Sequence, residues 1–407
     1  MSNTLLTIDM ITKEALRLAH EKATFIGTIN RQFDESFGRS EGKIGDTLRI
    51  RLPSQYTRRQ GSRVMDVQDS EQQKTALTVA TQDGVDMRFN SREMALDLDS
   101  FSKLHLEPAM ATLVSGVESD VLQGCTKKTY NAVNSAAFAA LSDLAVPGAA
   151  RAKLNQFLAP KDNQRSIQMD SVTMGGLVNG LKGLFQDSPQ IKEQYREGLI
   201  GRTAMADYYE NERVWSNVTG ADVTGTLNTY TMVDGETGGF TSQFTSLTGV
   251  SVGNVFTIAG AYACHPETKA AYPFLKQFVV TGVTSDTQFT FSPAFNFSAG
   301  PKQNVVSVSG GVPSISTTAV VTILGTASKT SVQNLMYHKD AFTFATADLP
   351  MMADAAKCSV QKFDNISLRV WQASDIRNDE MLTRIDILYG YEAIRPDWAC
   401  RMIGLET

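Results

Sequence analysis

The sequence predicts an α+β protein whose middle is a separate all-β segment set into a mixed host. Three observations predict it. Between Ser216 and Thr330 only nine charged residues occur in 115 positions, about 8%, against about 25% in the rest of the 407-residue chain. The same stretch carries β-branched and aromatic runs such as 254-NVFTIA, 278-FVVTGV, 288-QFTF and 319-AVVTIL, separated by Gly, Ser, Asn and Pro clusters, the pattern of short strands in a sandwich or barrel. The flanks on either side resemble each other in charge and helix content, so an insertion into one host explains the pattern better than three domains in a row.

The elements follow in order. Residues 1–45 form an N-terminal arm opening with an amphipathic helix, in which Ile8, Ile11, Ala15 and Leu18 recur at spacings of three and four. Residues 46–90 form an extended hairpin: 46-DTLRIRL alternates like a strand and is expected to pair along the second alternating run, Thr75 to Phe89. Between them Pro53 to Gln73 is polar and arginine-rich (Arg58, Arg59, Arg63) and too long for a tidy turn, so it reads as a protruding arm. Residues 91–215 begin with a long helix near Pro108. Its apolar stripe is Met110, Leu113, Val114, Val117, Val121 and Leu122, it can run on to Ala140, and Glu107 and Glu118 fall on its polar face. Residues 216–330 are the all-β insertion, of roughly immunoglobulin size. Residues 331–407 return with strands, among them 384-RIDILYGYE.

Composition excludes several function classes. A net charge of −5 offers no basic footprint for nucleic acid, no run of 18 apolar residues could span a membrane, and the N-terminus lacks a secretory pattern. Cys125, Cys264, Cys358 and Cys400 lie far apart and read as reduced, buried thiols. Zinc-protease, P-loop, dinucleotide and EF-hand motifs are absent. The string 249-GVSVG matches the nucleophile elbow, but a strand-like run follows it where that motif needs a helix. His20, His105, His265 and His338 are scattered and read as structural or surface residues. The sequence does not look like that of an enzyme, and no catalytic residue, cofactor or metal is expected.

The order of parts, with 195-YREGLIGR before the insertion and 338-HKDAFTFA and 384-RIDILYGYEAIRP after it, resembles tailed-bacteriophage major capsid proteins. It is most similar to the coat proteins of short-tailed temperate phages, which carry an immunoglobulin-like or telokin-like domain in the tailed-phage/herpesvirus capsid fold. Tyr389, Gly390, Arg395 and Pro396 match that fold's Tyr-Gly-x-x-x-x-Arg-Pro ending. The resemblance implies an N-arm, extended loop, spine helix, and peripheral and axial domains. It implies pentamers and hexamers in an icosahedral shell, with a scaffolding protein, a portal at one vertex, and weak non-specific contact with the packaged double-stranded DNA. It places the protein in the virion, assembled in the host cytoplasm. The extended loop, with Arg49, Arg51, Arg58, Arg59, Arg63 and Asp66, would lie over a neighbouring subunit, and Asp234 and Glu236 would contact neighbours from the insertion. Asp9, Glu14 and Glu21 are the acidic candidates for a basic scaffold. One branch of the fold cross-links a loop lysine, but Pro53 to Gln73 holds none and Lys74 lies at its base, so a non-covalent shell is expected.

Two other readings compete. In a carbohydrate-binding or adhesive protein, Tyr262, Tyr272 and Phe274 would offer an aromatic face to glycan. In a hydrolase, Ser251 would be the nucleophile.

Overall fold

The computed structural model describes residues 8–31, 47–58, 73–90, 105–181, 202–227, 234–238, 244–245, 247–285, 288–309, 319–351, 357–363, 366–375 and 380–406, with positions 61, 65, 67 and 313. The chain forms two compact units, the first from residues 1–50, 75–122 and 342–394, the second from 51–74, 123–341 and 395–407.

In the first unit the long strand Glu380–Ala393 organises a five-stranded sheet. It pairs antiparallel with Phe342–Ala347, Ile366–Asp375 and Thr81–Asn90, and Lys357–Phe363 pairs outside Ile366–Asp375. The N-terminal helix Ile8–Lys22 lies on the last two of these returning strands, Lys357–Phe363 and Ile366–Asp375, and buries Ile11, Ala15 and Leu18 as its spacing predicts. The spine helix runs Glu107–Lys128, and all six residues of the predicted stripe are buried. It ends twelve residues short of Ala140. After Lys128 the Thr129 amide closes onto the Thr126 carbonyl at 3.1 Å, and Ala132–Asn134 becomes a strand parallel to Ala399–Glu406. The apolar residues beyond the helix belong to a sheet, a distinction that hydrophobicity alone does not draw.

The expected hairpin is shorter than the alternation suggests. Among the described residues Thr47–Arg51 pairs only with Lys74–Thr78, while Thr81–Asn90 leaves it to pair with Glu380–Ala393. The change of partner occurs at Val79, buried with Leu77, Ile50 and Leu388. Gly390 permits it: a Cβ there would stand 2.2 Å from the Thr78 carbonyl oxygen. Period-two alternation fixes which face is buried and leaves the partner open.

In the second unit a six-stranded sheet orders Ala132–Asn134, Ala399–Glu406, Thr330–His338, Arg165–Met169 and Asp207–Glu210, with Ser216–Val218 also against Thr330–His338. The middle segment forms a separate eight-stranded sheet, ordered Phe244–Thr245, Thr224–Leu227, Val320–Ile323, Val255–Cys264, Ala271–Ser285, Gln288–Phe295 and Glu236–Gly238, with Val305–Val306 beside Val255–Cys264. Its core has an aromatic centre, in which Phe256 stacks on Phe278 and meets Phe289 and Phe291 edge-on. The chain leaves and rejoins the six-stranded sheet on neighbouring strands: Val218 is opposite Thr330, Asn217 opposite Ser331, and the ladder extends through Thr219 N–H to the Lys329 carbonyl at 2.9 Å.

Candidate assembly surfaces and the β-segment junction

The arm is built by alternation. Along Thr47–Arg51, Ile50 is buried while Arg49 and Arg51 are exposed. The chain then runs without regular structure from Leu52 through the exposed Arg58. Beyond it Met65 and Val67 are 81% and 78% exposed, apolar side chains held in water that the arginine-centred reading of the arm overlooks. Arg59, Arg63 and Asp66 lie outside the described residues.

On the N-terminal helix Glu14 is engaged by Arg17 at 2.7 Å, and that hydrogen bond lowers its carboxyl below the usual range. The side chains of Asp9 and Glu21 are outside the described residues. The carboxylate that holds this region is Glu118, and here the sequence reading is corrected. Glu118 is not on a polar face but is 0% exposed. It accepts hydrogen bonds from the Thr24 amide at 3.2 Å, the Thr24 hydroxyl at 2.6 Å and the Phe25 amide at 2.6 Å. These amides open the short helix Phe25–Thr28, whose Thr24 cap makes no side-chain capping bond, so a carboxylate distant in sequence serves as its cap. Asn30 then joins the sheet through Phe344 N–H to its carbonyl at 3.0 Å.

Asp234 is exposed but committed within its own segment, accepting from the Phe297 amide at 2.7 Å and the Ser298 amide at 3.0 Å. Partial burial pushes its carboxyl upward, and these hydrogen bonds outweigh it, leaving the group lowered. The backbone of Glu236 begins the strand Glu236–Gly238, and its side chain is outside the described residues.

The junction of the β segment with the six-stranded sheet carries the most specific chemistry of the second unit. The Gln277 side-chain amide acts as an added strand edge: its oxygen accepts the Ala132 N–H at 3.0 Å and its nitrogen donates to the Ala132 carbonyl at 2.9 Å. Arg401 donates to the Gly253 carbonyl at 2.6 Å and to the Lys127 carbonyl at 3.1 Å, capping the last turn of the spine helix, and lies over the Trp215 ring. Gly253 has φ +99°, and a Cβ would stand 2.5 Å from that ring. The Tyr272 hydroxyl donates to the Gln156 carbonyl at 2.8 Å, at the end of the helix Ala145–Gln156, and stacks on Phe274, over which Lys153 sits. Tyr272 and Phe274, two of the three aromatics of the glycan reading, are thus engaged at the junction. Lys276, 4% exposed, has its ammonium 4.7 Å from both the Tyr130 and Phe157 rings. Burial pulls its pKa down to about 8.

The residues of the chain's ending find local duties. The buried Tyr389 hydroxyl lies 2.9 Å from a carboxylate oxygen of both Asp83 and Asp120, and burial beside these acceptors raises its pKa far above the ordinary value. Arg395 stacks over Trp398 at 4.2 Å, and Pro396 starts the turn Pro396–Trp398. His338 is buried and bonded through Nε2 to Asp162 at 2.9 Å. Ser251 pairs with Asn254 at 3.2 Å, and the strand Val255–Cys264 follows, so the nucleophile-elbow context is not met. Cys125, Cys264 and Cys400 are buried, Cys358 is half-buried, and all four are free thiols. Among the described residues no group of three His, Cys, Asp or Glu could hold a metal ion, and no helix is long and apolar enough to cross a membrane.

Residues 218–405 match the family model described as P22 coat protein, gene protein 5. A comparison with curated proteins finds no match. Similar solved structures include Mycobacterium phage Che8, at 10% identity and TM-score 0.48, covering 93% of this chain and 90% of that one. They also include the capsid of Ralstonia phage GP4, at 8% identity and TM-score 0.41, covering 90% and 85%.

Proposed function

We propose that this chain, whose residues 218–405 match the coat-protein family, is a tailed-phage major capsid protein that works by mechanical assembly and by no chemistry of its own. Its copies build the shell of the virion as pentamers and hexamers. A scaffolding protein directs them in the host cytoplasm, a portal occupies one vertex, and the shell encloses double-stranded DNA. Net charge −5 keeps contact with that DNA weak, since neutralising phosphates needs cations.

The arm is the first interface. Arg49, Arg51 and Arg58 are exposed along it, and Met65 and Val67 supply apolar surface that a neighbouring subunit would cover. Arg59, Arg63 and Asp66 belong to the same arm by sequence. Asp9, Glu14 and Glu21 remain the candidates for a basic scaffold, with Glu14 already shared with Arg17. Residues 216–330 act as an inserted domain. Its paired ends and its own aromatic core support this reading, and its Asp234 and Glu236 loop is a second candidate interface. The remaining domains divide at residues 45, 90 and 215.

The coat-protein match is the observation that carries the reading. Negative-stain electron microscopy of the purified protein, alone and with a candidate scaffolding partner, tests it. Closed shells, or shells mixed with spirals without the partner, are expected. A monodisperse monomer or small oligomer under both conditions would overturn it.

A further inference from the structure

We infer that the outer edge of the strand Thr81–Asn90 pairs with the same strand of a second copy of this chain, antiparallel and centred on Met87. This rests on the shell-building reading above and names one contact within it. The strand is ten residues long and bonds through one edge to Glu380–Ala393, from Asn90 opposite Glu380 to Thr81 opposite Tyr389, with no bulge. Among the described residues no strand pairs with its other edge, which leaves a row of backbone donors and acceptors. Gln82, Gly84, Asp86 and Arg88 are exposed. Natural edges of this length are usually blunted by a proline, a bulge or repelling charges. This strand contains no proline, and its charges favour one particular pairing.

When two identical strands pair antiparallel, the centre decides every other opposition. With Met87 opposite Met87, Asp86 meets Arg88 twice, Val85 meets the position of Phe89 twice, and Gly84 meets the position of Asn90. Shifting the centre to Asp86 sets two carboxylates opposite each other, and shifting it to Arg88 sets two guanidinium groups opposite each other. Opposed like charges disfavour a pairing and opposite charges favour it, so the sequence of the edge selects a single register. The neighbouring strand extends the pattern. Asp86 lies 3.2 Å from Arg384 and Arg88 lies 3.4 Å from Glu380, while both side chains stay about 70% exposed. A row across the junction therefore alternates in sign: Arg384, Asp86, then Arg88 and Glu380 of the second copy.

The test uses full-length protein carrying Met87→Cys, with Cys358→Ser to remove the half-buried thiol. Opposed side chains in such a ladder stand within disulfide reach. After mild oxidation with diamide, disulfide-linked dimers are expected from Met87→Cys. Few or none are expected from Val85→Cys, whose opposite position is Phe89. Arg88→Asp alone should reduce particle yield at least tenfold, and adding Asp86→Arg, Arg384→Asp and Glu380→Arg, which restores the alternating row with its signs reversed, should recover most of it. Shells that form normally while Met87→Cys stays monomeric on non-reducing gels would overturn the pairing and leave the capsid reading intact. Equal cross-linking at residues 85 and 87 would also overturn it. If the parent chain forms no particles, the capsid reading fails. Specific dimers at residue 87 in solution would then still support the strand pairing, and their absence would overturn it.

Discussion

At the scale of single residues, the buried charges have measurable consequences. Lys276 is cationic at neutral pH between two aromatic rings, yet burial lowers its pKa from 10.5 to about 8. A lysine whose pKa is lower folded than unfolded penalises the fold while charged. The penalty is fully present below pH 8 and disappears as pH rises toward 10.5. Lys276→Met should therefore be more stable than the parent at pH 7 by about 1–3 kcal/mol, since each pKa unit is worth about 1.4 kcal/mol and the rings offset part of it. In urea unfolding series from pH 7 to 10.5, the difference between parent and variant should shrink. Glu118 behaves oppositely. Its removal orphans the Thr24 and Phe25 amides, so Glu118→Ala should cost about 2–4 kcal/mol, read as a fall in the urea midpoint. Neither residue's role was legible in the sequence. A helical glutamate outside an apolar stripe and a lone lysine in a β run both look solvated until distant segments close over them.

At the scale of elements, the sequence carried what depends on local period. The apolar stripes of the N-terminal and spine helices, and the alternation of Thr47–Arg51, follow from side-chain spacing. It could not carry partnership. Thr75 to Phe89 alternates throughout, yet its two halves join different sheets, and the apolar residues after Lys128 suit a helix as well as the strand they form. The change of partner at Val79 depends on Gly390, since a side chain there meets backbone. Gly390→Ala should cost about 1–3 kcal/mol through overpacking, with a lower thermal midpoint and faster hydrogen exchange along Lys74–Thr78. At the junction, Gln277→Leu deletes both bonds to Ala132. It should leave the secondary structure by circular dichroism unchanged while increasing cleavage near residues 130–135 in limited proteolysis.

At the scale of the whole molecule, the strands of the eight-stranded sheet fall inside the low-charge stretch because a small all-β core surrounded by neutral turns has little room for charged side chains. The candidate interfaces were legible only as exposed arms and loops, since one chain does not show which of its faces its copies share. Residues 219–329 expressed alone should fold around Phe256, Phe278 and Phe291 and give dispersed amide resonances. A collapsed, undispersed spectrum would mean that the segment depends on its host.

The neck of that segment also decides how it responds to force. Val218 and Thr330 are opposite one another, so a force that draws the two ends of the segment apart opens the neck ladder one hydrogen-bonded rung at a time. A pull along the strands would have to break its rungs together. The bonds of Gln277 to Ala132, of Arg401 to Gly253 and of Tyr272 to Gln156 brace the neck against such opening, so the β segment is held to the rest of its unit by more than its two covalent connections.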